Sequence, residues 1–282
     1  GIQKIVQVLG ENAIGFEPCG GYECFEKWPE NYDEKIAMLN NWLQPVMQRE
    51  QAFSMAHSQI AAFGMSAFGG MIANHSEGAL HSGMYVDALT TLVRGMGVEI
   101  FYGTKVLHWQ QANAALRIET SNYVFQTAQI VFTTNGYLGE QMPPLAIVPA
   151  RGQVLVTHPI DGLKLQGTFH FDEGFYYWRH VGGNRILLGG ARNKDAHAEA
   201  TTSLDTSATI QQALEAFLIR HFPEHFNKEN MQQKIDMRWS GLMAMSSNKL
   251  PVFAQAEPGV WAAMCCNGMG VALSPVFAEQ IA

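Results

Sequence analysis

The stretch Pro258-Gly-Val-Trp-Ala-Ala-Met-Cys-Cys-Asn-Gly-Met-Gly-Val-Ala-Leu-Ser-Pro275 decides how the fold is interpreted. Its apolar run, Val260 to Met264, predicts a buried strand. A turn of small residues, Asn267 to Gly270, follows, and a helical pattern runs from Val271 to Ala282. Such a unit brings free backbone N–H groups and the positive end of a helix to one point, where an electron-rich group can bind. The glycine spacing alone also suits a plain turn before a helix.

The composition is that of a compact protein with a sizeable core. The chain has 282 residues, 47% of them hydrophobic and 15% charged, which predicts one large domain or two interleaved domains. The formal net charge is −7 and no block of Lys or Arg occurs, so we expect neither nucleic acid nor an anionic membrane as a partner. No uninterrupted apolar run is long enough to predict a membrane-spanning helix.

The ends and the cysteines suggest a cytoplasmic origin. Gly1-Ile-Gln-Lys has neither an initiator Met nor a signal peptide, so we expect this chain to be a piece of a longer protein. The four cysteines are Cys19, Cys24, Cys265 and Cys266. Neither pair has zinc-ligand spacing, and adjacent cysteines rarely close a disulfide. We therefore predict reduced thiols in a cytoplasmic protein.

The first half of the chain contains helical patterns and then a block of strands. Apolar residues on one face predict amphipathic helices over 32–51 and 81–95. Short strands are predicted at 98–102 and 105–110, and a hairpin at 115–127 turns at Ser121-Asn122. The apolar run Gln129 to Thr134 ends in Asn135-Gly136 and is typical of a buried parallel strand.

From Pro149 onward, strands rich in Tyr, Phe, Val and Thr alternate with glycine turns, a pattern typical of an antiparallel sheet. Strands are predicted at 152–158, 167–171, 174–181, 185–190 and 232–244, with a helix at 207–220. The fold class is therefore α+β, with an α/β part and an antiparallel sheet. We place the α/β part at residues 1–148 and 239–282, and the sheet domain at 149–238.

Common catalytic and metal motifs are absent from the sequence. There is no Gly-x-Ser-x-Gly, His-Glu-x-x-His, Cys-x-x-Cys or P-loop. The histidines His57, His75 and His81 share no helical face, and an isolated histidine is more often structural than a ligand. We predict no metal site and name no catalytic side chain.

An ordered set of fragments carries far more information than any one glycine turn. The fragments are Ala79-Leu-His-Ser-Gly83, Gly97-Val-Glu-Ile100, Gln129 to Tyr137, Pro149-Ala-Arg-Gly-Gln153, Arg185-Ile-Leu-Leu-Gly-Gly190, Trp239-Ser-Gly-Leu-Met243 with Leu250-Pro251, and Pro258 to Val271. In this order they resemble the FAD-dependent D-amino-acid oxidase family, which includes glycine oxidases, sarcosine oxidases and glutamylputrescine-type amine oxidases. The resemblance begins near Gly78, and residues 1–68 are similar to the family's variable helical segment.

The resemblance implies a set of FAD-binding residues. Val106 would pass near the adenine, and the strand ending at Thr133 to Gly136 would reach the edge of the sheet where cofactors bind. The turn from Asn267 to Val271 would line the flavin, with the helix N-terminus stabilising negative charge on the reduced ring. The implied cofactor-binding residues are Val106, Thr133, Thr134, Asn135, Gly136, Asn267, Gly268, Met269, Gly270 and Val271.

The antiparallel sheet would then cover the flavin and face the substrate. Tyr176, Tyr177, Trp178 and Met243 are the candidate substrate residues. Because side chains alternate along a strand, Tyr176 and Trp178 share one face and Tyr177 lies on the other. One of these sets should belong to the core, and we favour Tyr177 as the pocket residue.

Three departures from the family pattern qualify what the resemblance implies. The opening β-α-β unit, with its Gly-x-Gly-x-x-Gly, is missing, so this chain alone is expected to bind FAD poorly or not at all and to be inactive. Whether the unit was removed or naturally lost stays open. Met243 stands where amino-acid oxidases carry a carboxylate-binding Arg, which favours an amine or an amino acid held elsewhere. No Cys lies within residues 243–246, so the flavin is expected to be noncovalent.

The sequence thus predicts a flavoenzyme that oxidises the C–N bond of a small amine or amino acid to an imine. Met269 and Ala272 replace the His and Lys of the sarcosine-oxidase branch, which leaves O₂ or another molecule as the electron acceptor. Two alternatives stay open. One is a flavin-dependent hydroxy-acid dehydrogenase or a tRNA-modifying relative, and the other is a non-catalytic module without flavin. The sequence does not specify the oligomeric state.

Overall fold

The α+β fold class is confirmed. The computed structural model describes residues 1–113, 115–264 and 266–281, so the predicted Cys265 thiol and the predicted helix end at Ala282 lie outside the described residues. Helices and strands intermix in the first 95 residues. These elements are α1 (Ile2–Leu9), α2 (Glu11–Ile14), β1 (Gly21–Phe25), α3 (Tyr32–Met47), β2 (Phe53–Met55), α4 (Gln59–Ala62), β3 (Gly70–Asn74) and α5 (Ser82–Gly95).

The middle of the chain is mostly strand. It contains β4 (Val106–Ala112), β5 (Ala115–Thr120), β6 (Val124–Thr127), β7 (Ile130–Phe132), α6 (Leu138–Gln141), β8 (Val148–Thr157), β9 (Thr168–Phe171), β10 (Tyr176–Val181) and β11 (Arg185–Gly190). The last part contains α7 (Ala208–His221), α8 (Met231–Lys234), β12 (Ile235–Met245), β13 (Val252–Glu257), β14 (Val260–Met264) and α9 (Gly270–Ile281).

The strands form three sheets. The largest has eight strands in the order β12-β8-β11-β10-β9-β1-β3-β2, and two three-stranded sheets have the orders β13-β14-β7 and β4-β5-β6. The predicted hairpin at 115–127 is present as β5 paired with β6. The predicted buried strand at Gln129 also forms, because β7 pairs in parallel with β14.

Two cores hold these sheets. In the first, α7 covers one face of the eight-stranded sheet, and Phe169 and Trp178 stack at 5.3 Å between ring centroids. The second core packs the small β13-β14-β7 sheet against α6 and the end of β12, with Phe132, Leu138 and Val260 fully or almost fully buried. The face of the large sheet opposite α7 is called here the open face.

Three details differ from the sequence predictions. The segment 98–102 is not a strand, because the Val98 N–H bonds the Val93 carbonyl at 3.0 Å and closes the end of α5. Residues 1–68 are not purely helical, since β1 and β2 lie in them. With β3, these two strands join the eight-stranded sheet, although the predicted boundary grouped residues 1–148 with the α/β part. The pairing responsible, β1 with β9, joins residues far apart in the chain and leaves no local pattern.

Candidate functional site

The glycine turn after β14 has the predicted strand–turn–helix form. Asn267 and Gly268 both have positive φ, 50° and 96°, and the Met269 N–H bonds the Cys266 carbonyl at 2.8 Å. The turn therefore reverses the chain within four residues and starts α9 at Gly270. The first N–H groups of α9 have no carbonyl partner inside the helix, as at any helix start, and they are available to an acceptor.

A cavity of about 500 Å³ lies against this turn. Its walls come from the end of β7, the end of β12, the end of β14, the turn and one side of α9. The lining residues are Thr133, Asn135, Met243, Ala244, Ala263, Met264, Cys266, Asn267, Gly268, Gly270, Val271, Ser274, Phe277, Ala278 and Ile281. The ends of two parallel strands thus meet at one cavity, as expected for a ligand site in an α/β sheet.

Seven of the predicted site residues meet at this cavity, although their sequence positions span 133 to 271. They are Thr133, Asn135, Met243, Asn267, Gly268, Gly270 and Val271. The other four predicted cofactor-binding residues do not line it, and neither do Tyr176, Tyr177 and Trp178. Val106 lies on β4 in a separate sheet, Thr134 donates its hydroxyl to Gln141 at 2.7 Å, and Met269 points to solvent with 61% of its surface exposed. Gly136 is buried behind the wall.

Hydrogen bonds hold β12 to this cavity from both sides. The Asn135 side-chain amide donates to the Leu242 carbonyl at 2.6 Å. The Asn267 side-chain oxygen accepts the Ser246 backbone N–H at 2.9 Å. Gly136 allows the close approach, because a Cβ there would lie 2.8 Å from both Leu242 Cγ and the Met243 carbonyl oxygen. Leu242 and Ser246 were not predicted as site residues, since nothing in their own sequence pattern marks them.

The three aromatic residues of β10 divide as strand alternation predicts. Tyr176 and Trp178 are 5% and 1% exposed and pack against Phe217 of α7. This burial in the core removes both from the candidate substrate residues. Tyr177 lies on the open face, where its ring crosses β11 over Gly189, so that a Cβ at Gly189 would be 2.5 Å from the ring. Burial raises the pKa of the Tyr177 hydroxyl, which keeps this group protonated at neutral pH.

The open face also carries a charged pair that sequence reasoning missed. His170 of β9 lies beside Tyr177 and Glu23 in the strand register, and its Nε2 is 3.7 Å from a carboxylate oxygen of Glu77. The contact with Glu77 raises the pKa of His170, and the same contact lowers the pKa of Glu77. Burial raises the pKa of Glu23. These groups make this part of the open face polar.

The cavity fits the ring of a flavin better than a metal or a phosphate. No Asp, Glu, His, Lys or Arg occurs among its lining residues, and Met243, Met264, Val271 and Phe277 give it apolar walls. The glycine turn adds backbone N–H groups at one end. Across the part of the chain that the structure describes, no group of three or more His, Cys, Asp or Glu side chains could hold a metal ion.

The fold thus combines a large, mostly antiparallel sheet, a small mixed sheet and a glycine-turn cavity. The family model of the FAD dependent oxidoreductases, DAO, matches residues 2–282. The chain belongs to this family, and the resemblance to D-amino-acid oxidases expected from the sequence is confirmed.

Relatives and solved structures agree with this assignment. The chain is 23% identical over 233 residues to a probable oxidoreductase, OrdL, of Haemophilus influenzae, and 25% identical over 235 residues to that of Rhizobium meliloti. These matches take in 78% and 81% of the chain, and it spans about half the length of each of these curated relatives, 50%.

Among solved structures, L-proline dehydrogenase from P. horikoshii has a TM-score of 0.78 at 14% identity, with 99% of this chain and 75% of that chain covered. Glycine oxidase from Bacillus cereus has a TM-score of 0.76 at 16% identity, covering 99% and 76%. At these identities the likeness shows the fold.

The helices give no sign of a membrane span. Within the described ranges, none of them is long and apolar enough to cross a bilayer.

Proposed function

We propose that this chain belongs to an FAD-dependent enzyme that oxidises the C–N bond of an amine or amino acid to an imine. In this reaction the substrate carbon loses a hydride, the nitrogen loses a proton, and a C=N bond forms. The two electrons then pass to O₂ or another acceptor. The observation that carries the proposal is the cavity at which Asn135, Asn267, Gly268 and Gly270 meet Met243 of the large sheet.

FAD, when bound, supplies the two-electron acceptor for this chemistry. The residues of the chain would hold and orient its ring. The N–H groups at the start of α9 would stabilise negative charge, and the apolar side chains of Met264 and Phe277 would exclude water. The pyrophosphate is not assigned to any described residue. We expect noncovalent binding, because no cysteine lies within 243–246.

The substrate would lie between the cavity and the open face of the large sheet. Met243 and Tyr177 are on this face, and Tyr177 offers a hydroxyl that stays protonated. A neutral amine needs no base beside the reacting carbon, because positioning alone can contribute roughly 7–11 kcal/mol at best. The absence of an acidic or basic side chain from the described cavity lining is consistent with this mechanism.

The names of the structural neighbours give the substrate class some support. They include a glycine oxidase, a proline dehydrogenase and an iminodiacetate oxidase, all of which act on amino or imino acids by name. Met243 stands where an Arg would hold a substrate carboxylate, which favours an amine or an amino acid bound through other groups.

The test is anaerobic reduction of bound FAD in the chain and in any longer natural protein that contains it. We expect small amines or amino acids to bleach the visible flavin band. Bleaching by hydroxy acids alone would assign the dehydrogenase alternative. Failure of both proteins to bind FAD would favour the non-catalytic module, whereas failure of the chain alone is expected from the missing β-α-β unit.

Two valines of α9 supply matched variants for this test. Val271 and Val276 are both 42% exposed, but only Val271 lines the cavity. Val271→Trp should fill the cavity and abolish flavin reduction, whereas Val276→Trp should leave it within about twofold of the parent, since surface changes rarely perturb a site. Equal effects of the two variants would show that the cavity is not the flavin site.

A further inference from the structure

The wall of the cavity that carries Met243 is a ribbon of only two strands. β12 pairs with β8 along its full length, from Thr157 to Val148. β11 supports β8 only as far as Gln153, so residues 148–152 pair with β12 alone. An isolated two-stranded ribbon is marginally stable in water. Because no third strand continues to this end, contacts other than strand pairing hold Met243 in place, among them the hydrogen bonds of Asn135 and Asn267 described above.

A further support is attached where β11 stops. The Arg151 N–H donates to the Glu199 carbonyl at 2.8 Å, which replaces the missing strand by one backbone bond. The Arg151 side chain then donates twice to the Glu199 carboxylate, from Nε at 2.9 Å and from Nη2 at 2.6 Å. Arg151 is 7% exposed and Glu199 only 1%. Two charged groups are thus buried at the end of the ribbon.

Further hydrogen bonds tie this pair to α7. The Gln153 side-chain amide donates to both Glu199 oxygens at 2.9 Å, and its oxygen accepts the Ser207 N–H at 3.0 Å and the Gln211 amide at 3.2 Å. Gln211 in turn accepts from Arg238 of β12 at 2.7 Å. Neither the loop containing Glu199 nor the ribbon can shift without breaking several of these bonds.

From Arg151 the connection to the cavity is short. Arg151 lies opposite Leu242 in the β8–β12 register, and Ala150 lies opposite Met243. Leu242 accepts the Asn135 amide and packs on Gly136. The Met243 methyl group lies over β8, 3.0 Å from where a Cβ at Gly152 would be. The position of Arg151 therefore fixes two consecutive residues of β12 that face the β7 end and the cavity.

We propose that the buried Arg151–Glu199 pair is a positioning device that anchors the two-stranded end of the β8–β12 ribbon from the α7 side, and so sets the place of Met243 at the cavity. Buried ion pairs are often replaceable by neutral side chains without loss of stability. In this chain the pair fixes the geometry of the cavity wall that carries Met243. The proposal rests on the proposed function only for the identity of the ligand that fills the cavity.

The test follows the methyl signal of Met243 by NMR in the chain labelled with ¹³C at its 14 methionine methyl groups. Met243→Leu identifies the signal. The double variant Arg151→Leu with Glu199→Gln removes both charges, adds no methionine signal, and leaves an amide that can still bond Gln153. We expect a melting temperature close to the parent and a Met243 signal that shifts by more than its linewidth or splits. The signals of Met71 and Met231, in the other core, should not move.

Asp236→Asn is the matched control, because Asp236 also lies on β12 and pairs with Arg185 at 2.7 Å, but at the supported end of the strand. It should leave the Met243 signal unchanged. An unchanged signal in the double variant would overturn the proposal, and so would an equal shift in Asp236→Asn.

If the double variant does not fold, the Met243 signal is measured in Arg151→Lys instead, since this variant keeps the charge but loses the bidentate contact. Failure of both variants to fold would assign the pair to stability and also overturn the proposal. None of these results depends on flavin, so they are distinct from failure of the proposed function.

Discussion

The charge on His170 depends on Glu77, a residue 93 positions earlier that no sequence pattern links to it. The fold brings the two together because β9 pairs with β1, whose other neighbour, β3, leads directly into the turn carrying Glu77. The orientation of Tyr177, by contrast, could be predicted from the sequence. Its side of the sheet followed from strand alternation alone, since each side chain of a strand points away from the next.

The His170–Glu77 pair should make stability depend on pH. The pKa of His170 is raised in the fold, so its contribution is complete below the unfolded value of about 6.5 and is lost as the pH rises through the folded value. The pKa of Glu77 is lowered, so its contribution is present above about 4.5 and is lost as the pH falls. Between these limits the pair stabilises the protein most.

Urea unfolding of Glu77→Gln measures this effect. We expect the variant to lose more unfolding free energy at about pH 5.5 than at about pH 9, because His170 is charged only at the lower value. Glu30→Gln, which changes an exposed carboxylate without an ion pair among the described residues, should show no such difference. A loss independent of pH would contradict the pairing.

At the scale of elements, the strands that the local pattern predicts are largely present in the structure. The strands of the first 95 residues, whose place depends on distant partners, were not predicted. β8 to β11 and the helices α5 and α7 lie within a few residues of their predicted positions. β13 was missed, and 98–102 was predicted as a strand but is not one. β13 pairs with the adjacent strand β14, so distant contacts do not explain why it was missed. β1, by contrast, owes its place to β9, a distant partner about which single-sequence periodicity carries no information. Glu199, in a loop of small and polar residues, could not have been found from the sequence either.

The β10–β11 hairpin supplies a sharp test of packing. Gly190 has φ of 118°, and a Cβ there would lie 1.9 Å from the Phe175 carbonyl oxygen. Gly190→Ala should therefore cost at least about 2 kcal/mol, because the strand end must move. Gly182→Ala, in open space at the turn of the same hairpin, should cost much less. Thermal denaturation compares them, and equal melting temperatures would contradict the close contact.

The approach of β12 to the segment after β7 gives a second test. Gly136→Ala would press on Leu242 and the Met243 carbonyl, both 2.8 Å away, and should cost about 1–3 kcal/mol. Its control, Gly241→Ala, lies on β12 with no atom within 4 Å of the added methyl group. We expect only Gly136→Ala to weaken flavin binding, measured by fluorescence titration. Weakening by both variants would show that β12 itself, rather than this contact, was perturbed.

At the scale of the whole molecule, the two cores have different structural roles. The core under α7 keeps the large sheet rigid, and the smaller core holds the strand ends that form the cavity. The sequence predicted an α/β part and an antiparallel part, but not that β1 to β3 would extend the large sheet. The division into domains itself stays a prediction.

Phe132→Ala should show whether the two cores unfold independently. Phe132 is 2% exposed and contacts Trp109 at 4.7 Å between ring centroids. Its loss should cost about 3–5 kcal/mol and speed hydrogen exchange in β7 and β14, leaving β9 to β11 protected. Phe222→Ala, in the other core and fully buried, is the counterpart and should deprotect the large sheet. Uniform deprotection by both variants would indicate one cooperative unit.

The short strand β7 stands at the end of its sheet, bonded to β14 on one side. Among the described residues, no strand pairs with its other side. Exposed rims of this kind template self-association. Preparations of this chain handled at high concentration should therefore gain cross-β aggregates, and a lysine introduced at Val131 would be the first remedy to try.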